Sequence, residues 1–352
     1  MLHRKSFQYT KTSFLEEGDT ATVVITQRGP EFLDYLVPKG GVTLGAIVHV
    51  PVRSKIVLGV VWSIGQFSQT SYRKKEISKI VDLPSLTNDV RNFLQKSSEY
   101  NLLPLNMGLR LCLNPNLDLG KAYSNYIYEI GPEKFFRLTS QRKRVLDFLS
   151  SQRKNPISKS KLMIESNVSN SVIRDLEKKK IITKISVPIN DNFLKIQATF
   201  STTLSKSQKR VSDDLRSKVK SASYSTTMLK GVTGSGKTEV YMDAIAEAVL
   251  LGRQVLVLFP EISLATTFVE RLQKRFKFGF AEWHSSISKK EKNKILKSVL
   301  DGSLKLVFGA RSAVFLPFRD LGLVIVDEEH DSSYKQEEGV RYHGRDMAVL
   351  KG

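Results

Sequence analysis

The eight residues Gly231-Val232-Thr233-Gly234-Ser235-Gly236-Lys237-Thr238 constrain the fold of this chain more than any other stretch. They satisfy the spacing G-x-x-x-x-G-K-[ST] without a mismatch, a turn whose backbone N–H groups close around a phosphate. Glycine is needed because inward-turned amides leave no room for a Cβ, and some positions take positive φ. Val240, Tyr241, Ala244, Ile245, Ala248 and Val249 follow at helical spacing, so the turn opens onto a helix whose N-terminus points at the anion. The strand that should precede the turn, Thr227-Met228-Leu229, is only weakly apolar.

In this loop Lys237 is placed to reach the β- and γ-phosphates of a nucleotide such as ATP, and Thr238 to offer its hydroxyl to Mg²⁺. Gly231, Thr233, Gly234, Ser235 and Gly236 complete the cradle. The surrounding chain alternates helices with apolar runs. Val255 to Phe259, Leu304 to Phe308 and Leu323 to Val326 read as buried parallel strands, with helices at Ser263 to Arg275 and Ser288 to Leu300 between them. This is a doubly wound α/β pattern. Asp327-Glu328-Glu329-His330 follows the last of those strands, which puts the acids at the carboxyl edge where the phosphate loop also opens. Asp327 is placed to hold Mg²⁺ through its waters, and Glu328 to polarise an attacking water. His330 joins them as a catalytic candidate. Either motif alone is common; the two in this order point to nucleotide hydrolysis.

A net charge of +20 over 352 residues favours polyanionic partners through counterion release. No apolar run approaches the ~20 residues of a membrane span, and the N-terminal residues lack the apolar core of a secretory signal, so the expected location is cytoplasmic. One cysteine, Cys112, excludes a disulfide framework or a four-cysteine metal site within these residues. The first hundred residues read as short strands, Ala21 to Thr26, Asp34 to Val37, Ala46 to Val50 and Ile56 to Ile64, broken by Gly and Pro, and suggest a small β-barrel or sandwich. A helix from Leu86 to Leu103 ends at Pro104. A connector then carries Tyr123, Tyr126 and Tyr128, which either stack on bases or pack against protein. Helices at Ser140 to Leu149, Ser158 to Ser166 and through Val172 to Leu176, then a strand from Ile181 to Val187, describe a winged helix, a unit that docks DNA or protein. The expected domains are 1–110 (β-rich), 111–200 (linker and winged helix) and 201–352 (the doubly wound α/β lobe).

The runs Gly231 to Tyr241, Pro260-Glu261-Ile262, Trp283-His284-Ser285 and Asp327 to Gln336 resemble the PriA family of bacterial replication-restart helicases, in superfamily 2. Asp34 to Pro38, Val48 to Pro51 and Leu58 to Val61 are similar more loosely. The resemblance implies an ATP- and Mg²⁺-dependent 3′-to-5′ DNA helicase that assembles the primosome at stalled forks, with 1–110 as a domain for DNA 3′ ends and 201–352 as a RecA-like first motor lobe. Its implied partners are branched forks, single strands, 3′ ends, single-stranded-DNA-binding protein and other primosome components. It implies that Gln208 reads adenine, that Arg311 in Gly309-Ala310-Arg311-Ser312 contacts DNA phosphate, and that Asp34 lies in a pocket for a 3′-hydroxyl. It further implies that Tyr334, Lys335, Tyr342 and His343 sit in an aromatic-rich loop coupling DNA to hydrolysis. The sequence departs from the family pattern at Val340, where tryptophan is usual, at Leu33, where an aromatic is usual, and at Arg53, where glycine is usual. The family also implies a second motor lobe with an arginine finger and a cysteine-rich zinc region, and neither follows within these residues. A chain of this extent is expected to bind ATP and DNA but to unwind little alone. The alternatives are a non-catalytic DNA-binding module and another superfamily 2 translocase.

Overall fold

The computed structural model describes residues 14–65, 74–114, 125–131, 139–151, 162–163, 165–187, 197–201, 203–232, 234–261, 265–277 and 279–352. Thr233, Tyr123, Ile262 and part of the Ser158 to Ser166 helix lie outside them. The chain divides into two compact units, one formed by 1–120 with 192–352 and the other by 121–191.

In the first unit, alternation of side chains builds an antiparallel five-stranded sheet. Its order across the sheet is Phe32–Leu36, Thr20–Ile25, Lys55–Ile64, Ile47–Val52 and Lys79–Ile80. Val23, Ile25, Val48, Val50 and Val61 fill one face, while Val24, Leu58, Val60 and Trp62 fill the other. Among the described residues this is one sheet with a two-stranded ribbon, Phe14–Leu15 on Val42–Thr43, in place of the expected barrel or sandwich. Both faces are covered because helices Asn88–Tyr100 and Leu105–Cys112 lie over the second face. The expected single helix to Leu103 stops at Tyr100, where Leu102 takes a left-handed backbone.

The second core lies in the α/β part. Four parallel strands run in the order Phe280–Trp283, Leu306–Gly309, Gln254–Leu258 and Leu321–Val326. Sequence reading missed Phe280–Trp283, whose four residues are only half-buried. No strand forms at Thr227-Met228-Leu229; Met228 is 74% exposed in a Ser/Thr-rich segment with too little apolar surface to bury. Helix Lys237–Leu250 is buried from Val240 through Val249. Burial includes Asp243 and Glu247, which is tolerated because Ser212 and Arg275 bond Asp243 and Arg216 bonds Glu247 at 2.9 Å. Gln254 closes the sheet's other end: its amide donates to the carbonyls of Val299 and Leu304 and its oxygen accepts from the amides of Arg319 and Asp320. The two cores are not separate at one seam. Phe93 from the N-terminal helix meets Phe315 at 5.7 Å between ring centroids, and one apolar cluster runs from Val24 to Ala348.

The second unit pairs strand Asn125–Ile130 antiparallel with Ile182–Val187 and sets helices Ser140–Ser151 and Asn170–Lys178 over a core of Val145, Leu149, Ile173 and Leu176. Tyr128 is buried there and donates to Glu177 Oε1 at 2.6 Å, so of the two readings for this tyrosine it packs.

Candidate nucleotide site and the loop behind it

Because the sheet is parallel and in register, its carboxyl edge gathers the chemistry. Leu258 lies opposite both Gly309 and Val326, and Gly309 opposite Trp283. The chain leaves these strands through Phe259-Pro260-Glu261, Ala310-Arg311, Asp327 and His284, all at one rim. Gly309 is required for this closeness: a Cβ there would stand 2.1 Å from the Trp283 carbonyl.

The phosphate loop meets the same edge. Gly234 and Gly236 have φ of +77° and +79°, and Gly236 caps helix Lys237–Leu250 without a side-chain bond, leaving the first helical N–H groups open to an anion. Lys237 is held back on the loop, donating to the Gly231 carbonyl at 2.9 Å. Gln208, on helix Lys206–Ser221, donates to the Ser235 carbonyl at 2.8 Å and accepts from the Ser205 amide in a capping box. This puts Gln208 at the loop, with its amide spent on backbone rather than free in a pocket.

Asp327 is the junction of the rim. Its amide donates to Leu258 O, its Oδ1 accepts from the Glu328 amide, and its Oδ2 accepts from the Tyr241 hydroxyl at 3.2 Å. Tyr241 lies one turn past Thr238 on the phosphate-loop helix. Burial holds the Asp327 carboxyl above the usual range, opposed by the Tyr241 bond and by the positive charge of Lys237. Burial drives the Tyr241 phenol far above its ordinary value, so it remains a donor. Glu328 sits at φ +45°, a left-handed backbone that costs a non-glycine residue about 1–2 kcal/mol. Strain of this kind gathers at functional sites. His330 is exposed, its Nδ1 3.8 Å from Glu328 Oε2. A glycine-lined loop, a lysine, a threonine hydroxyl and a carboxylate meeting at one edge are a donor set that fits a nucleotide triphosphate with Mg²⁺. Among the described residues no cluster of three or more His, Cys, Asp or Glu side chains forms a further metal site, and no helix is long and apolar enough to cross a membrane.

The residues expected at DNA fall into two groups. Lys335 is exposed, 3.1 Å from Glu337, and His343 is half-buried near Asp346. Tyr334 and Tyr342 instead face inward. Tyr334 is fully buried and its hydroxyl is shared between the carbonyls of Leu258 at 2.9 Å and Asp327 at 2.6 Å. Tyr342 meets Phe315 edge-on at 4.9 Å. A base cannot stack on either ring as they stand. Arg311 likewise spends its guanidinium on the loop, donating to Gln336 Oε1 at 2.8 Å and to the carbonyls of Ser333 and Lys335. Val340, at the position of the expected tryptophan, packs against the same apolar cluster. Tyr241 was missed by sequence reading except as a core position; its only signal was its place one turn after Thr238.

In the N-terminal sheet, Asp34 lies on the edge strand and accepts from the Thr22 hydroxyl at 2.7 Å. Leu33 is half-buried against the face of the sheet filled by Val23, Val48 and Val50. Arg53 turns the hairpin at φ +53°, the backbone that a glycine would take without strain.

Comparison with known proteins matches residues 195–351 to the DEAD/DEAH box helicase family and residues 22–114 to a 3′DNA-binding domain (3′BD). The chain is 33% identical to replication restart protein PriA of Rickettsia felis over 322 residues, 91% of this chain and 39% of that protein. It is 31% identical to the PriA of Chlamydia pneumoniae over 352 aligned residues, 94% of this chain and 46% of the relative. Against the PriA of Bacillus subtilis it is 35% identical over 225 residues, 62% of this chain and 28% of the relative. The chain thus spans less than half the length of these curated relatives.

Proposed function

The chain belongs to the PriA family of replication restart proteins, and on that premise we propose that it serves an ATP-dependent 3′-to-5′ DNA helicase of replication restart. Residues 201–352 bind ATP, residues 1–110 hold a DNA 3′ end, and 111–200 form a linker and a winged helix. The observation that carries the reading is the meeting of the phosphate-loop helix and the acid motif through Tyr241 and Asp327, at the edge where Arg311 also emerges.

On this reading the loop amides and Lys237 bind the phosphates, Lys237 leaving its bond to Gly231 to do so. Thr238 and Asp327 hold Mg²⁺, which when bound neutralises charge on the β- and γ-oxygens. Glu328 orients the attacking water, from a left-handed backbone position directly after Asp327. His330, within reach of Glu328, responds to that proton movement. Gln208 senses the loop and the adenine together. DNA is the partner on both the N-terminal sheet and the lobe. Single-stranded-DNA-binding protein and primosome components are partners by family, and the place of action is the cytoplasm.

Lys237→Ala tests the reading. Binding of a fluorescent ATP analogue with Mg²⁺ is expected to fall at least a hundredfold, with the thermal transition unchanged. Equal binding by both proteins would overturn the nucleotide site.

A further inference from the structure

We propose that Tyr241 is a positioning residue, whose hydroxyl ties the Asp327 carboxylate to the helix that carries Thr238 and so presets the two candidate Mg²⁺ ligands. The inference rests on the nucleotide reading above and adds to it a residue that neither motif contains.

Tyr241 belongs first to the core. Its ring is a core element, buried in the cluster of the α/β part and tilted against Phe268 at 6.3 Å between centroids. A phenylalanine would fill that place equally well, so packing alone does not call for a hydroxyl. The hydroxyl leaves the core at the sheet's carboxyl edge and is used there, donating to Asp327 Oδ2 at 3.2 Å. One hydrogen bond therefore ties the helix that carries Thr238 to the carboxylate that is the other candidate metal ligand, and the two come from elements far apart in sequence.

The rest of Asp327 is fixed from other sides. Its Oδ1 takes the Glu328 amide, its carbonyl takes Tyr334, and its amide is in the strand ladder. Only Oδ2 is held by the phosphate-loop helix. Without the phenol, the carboxylate keeps its backbone but loses the tie that registers it against Thr238. A preset pair of ligands lowers the ordering cost when the cation binds.

The test reads Mg²⁺ directly rather than turnover. A fluorescent N-methylanthraniloyl ADP is titrated with Mg²⁺ on the wild-type chain, on Tyr241→Phe, on Asp327→Asn and on the double variant, each checked by its thermal transition. Tyr241→Phe is expected to raise the half-saturating Mg²⁺ concentration about tenfold, the loss of one hydrogen bond to a charged group, while nucleotide affinity in EDTA stays within twofold. Added to Asp327→Asn it is expected to change the midpoint less than about twofold, because it acts through that carboxylate. Replacement of Tyr241 by 4-aminophenylalanine keeps ring and donor, and is expected to hold the wild-type midpoint whether or not Tyr241→Phe folds. An unshifted midpoint in Tyr241→Phe, effects that multiply in the double variant, or a tenfold shift with the amino analogue would overturn the proposal. Lys237→Ala separates the two failures. If it still binds nucleotide like the wild type, the nucleotide reading falls and this inference with it. If it loses binding while Tyr241→Phe is unchanged, only the role of Tyr241 falls.

Discussion

The phosphate loop and the aromatic-rich loop lie on the same sheet edge, yet they are built in opposite ways. The first is held open: positive-φ glycines, an uncapped helix N-terminus, and a lysine whose one bond is to its own loop. The second is closed: Tyr334 is fully buried with its hydroxyl on two carbonyls, Tyr342 is packed on Phe315, and Arg311 spends its guanidinium on three oxygens. Ligand-ready groups are the ones the fold leaves unsatisfied, and satisfied groups are architecture until something displaces them. The contrast has a direct consequence for stability. Tyr334→Ala is expected to cost about 3–5 kcal/mol, a large aromatic lost from a filled core. Lys237→Ala is expected to stay within about 0.5 kcal/mol, because this half-buried side chain bonds only to its own loop carbonyl among the described residues and fills no core. Urea denaturation of the two variants beside the wild type checks both; similar midpoints would erase the distinction drawn between the loops.

Much of the open region was legible in the sequence, because a phosphate loop announces itself through backbone requirements. The spacing of Gly231, Gly236, Lys237 and Thr238 states what the main chain must do, and the apolar runs at Val255, Leu304 and Leu323 place the acids at one edge. The closed region was less legible. Tyr334 and Tyr342 are amphipathic residues, and the same residue type can stack on a base or bury its ring and spend its hydroxyl on the backbone. Which occurs depends on Leu258 and Phe315, contacts that a linear pattern does not contain. The strand Phe280–Trp283 was missed for a related reason, since its half-buried residues lack a continuous apolar run. Gln254, polar in name, serves as a plug with every donor and acceptor used.

The closed region extends into the seam with the N-terminal domain, and a lysine there gives a second, smaller test. Lys351 donates to the Leu316 carbonyl at 2.9 Å and lies over the Phe93 ring at 4.3 Å. Burial pushes its ammonium down to about 8, while Cys112 beside it is pushed up to about 12. For the lysine, the folded pKa lies below the unfolded one. Between about 8 and the unfolded value near about 10.4 the unfolded chain binds more protons, so stability rises with pH, and below about 8 the term is flat. The cysteine acts with the opposite sign over an overlapping range, so the readout is the difference between the wild type and Lys351→Met. That difference is expected to shift by up to roughly 3 kcal/mol in favour of the wild type from pH 7 to 10.5, the full value of such a shift. A difference that is flat with pH would place this ammonium in water and remove the seam from the closed region.

The smallest effect is expected at Arg311, and it bears most directly on whether closure is permanent. Its fork reaches Gln336 Oε1 and the carbonyls of Ser333 and Lys335, a geometry that a single ammonium cannot reproduce. Arg311→Lys is therefore expected to destabilise by about 1 kcal/mol and to quicken proteolytic cutting between 335 and 341 severalfold. The charge is retained, so the salt dependence of single-stranded DNA binding is expected to keep its slope, because that slope counts neutralised phosphates rather than hydrogen-bond geometry. Arg311→Ala separates the two roles. If the arginine meets DNA phosphate as well as the loop, the alanine variant lowers the slope by about 1 while matching the lysine variant in proteolysis. If the slope is unmoved in both, Arg311 belongs wholly to the closed region, and DNA reaches this edge through other cations.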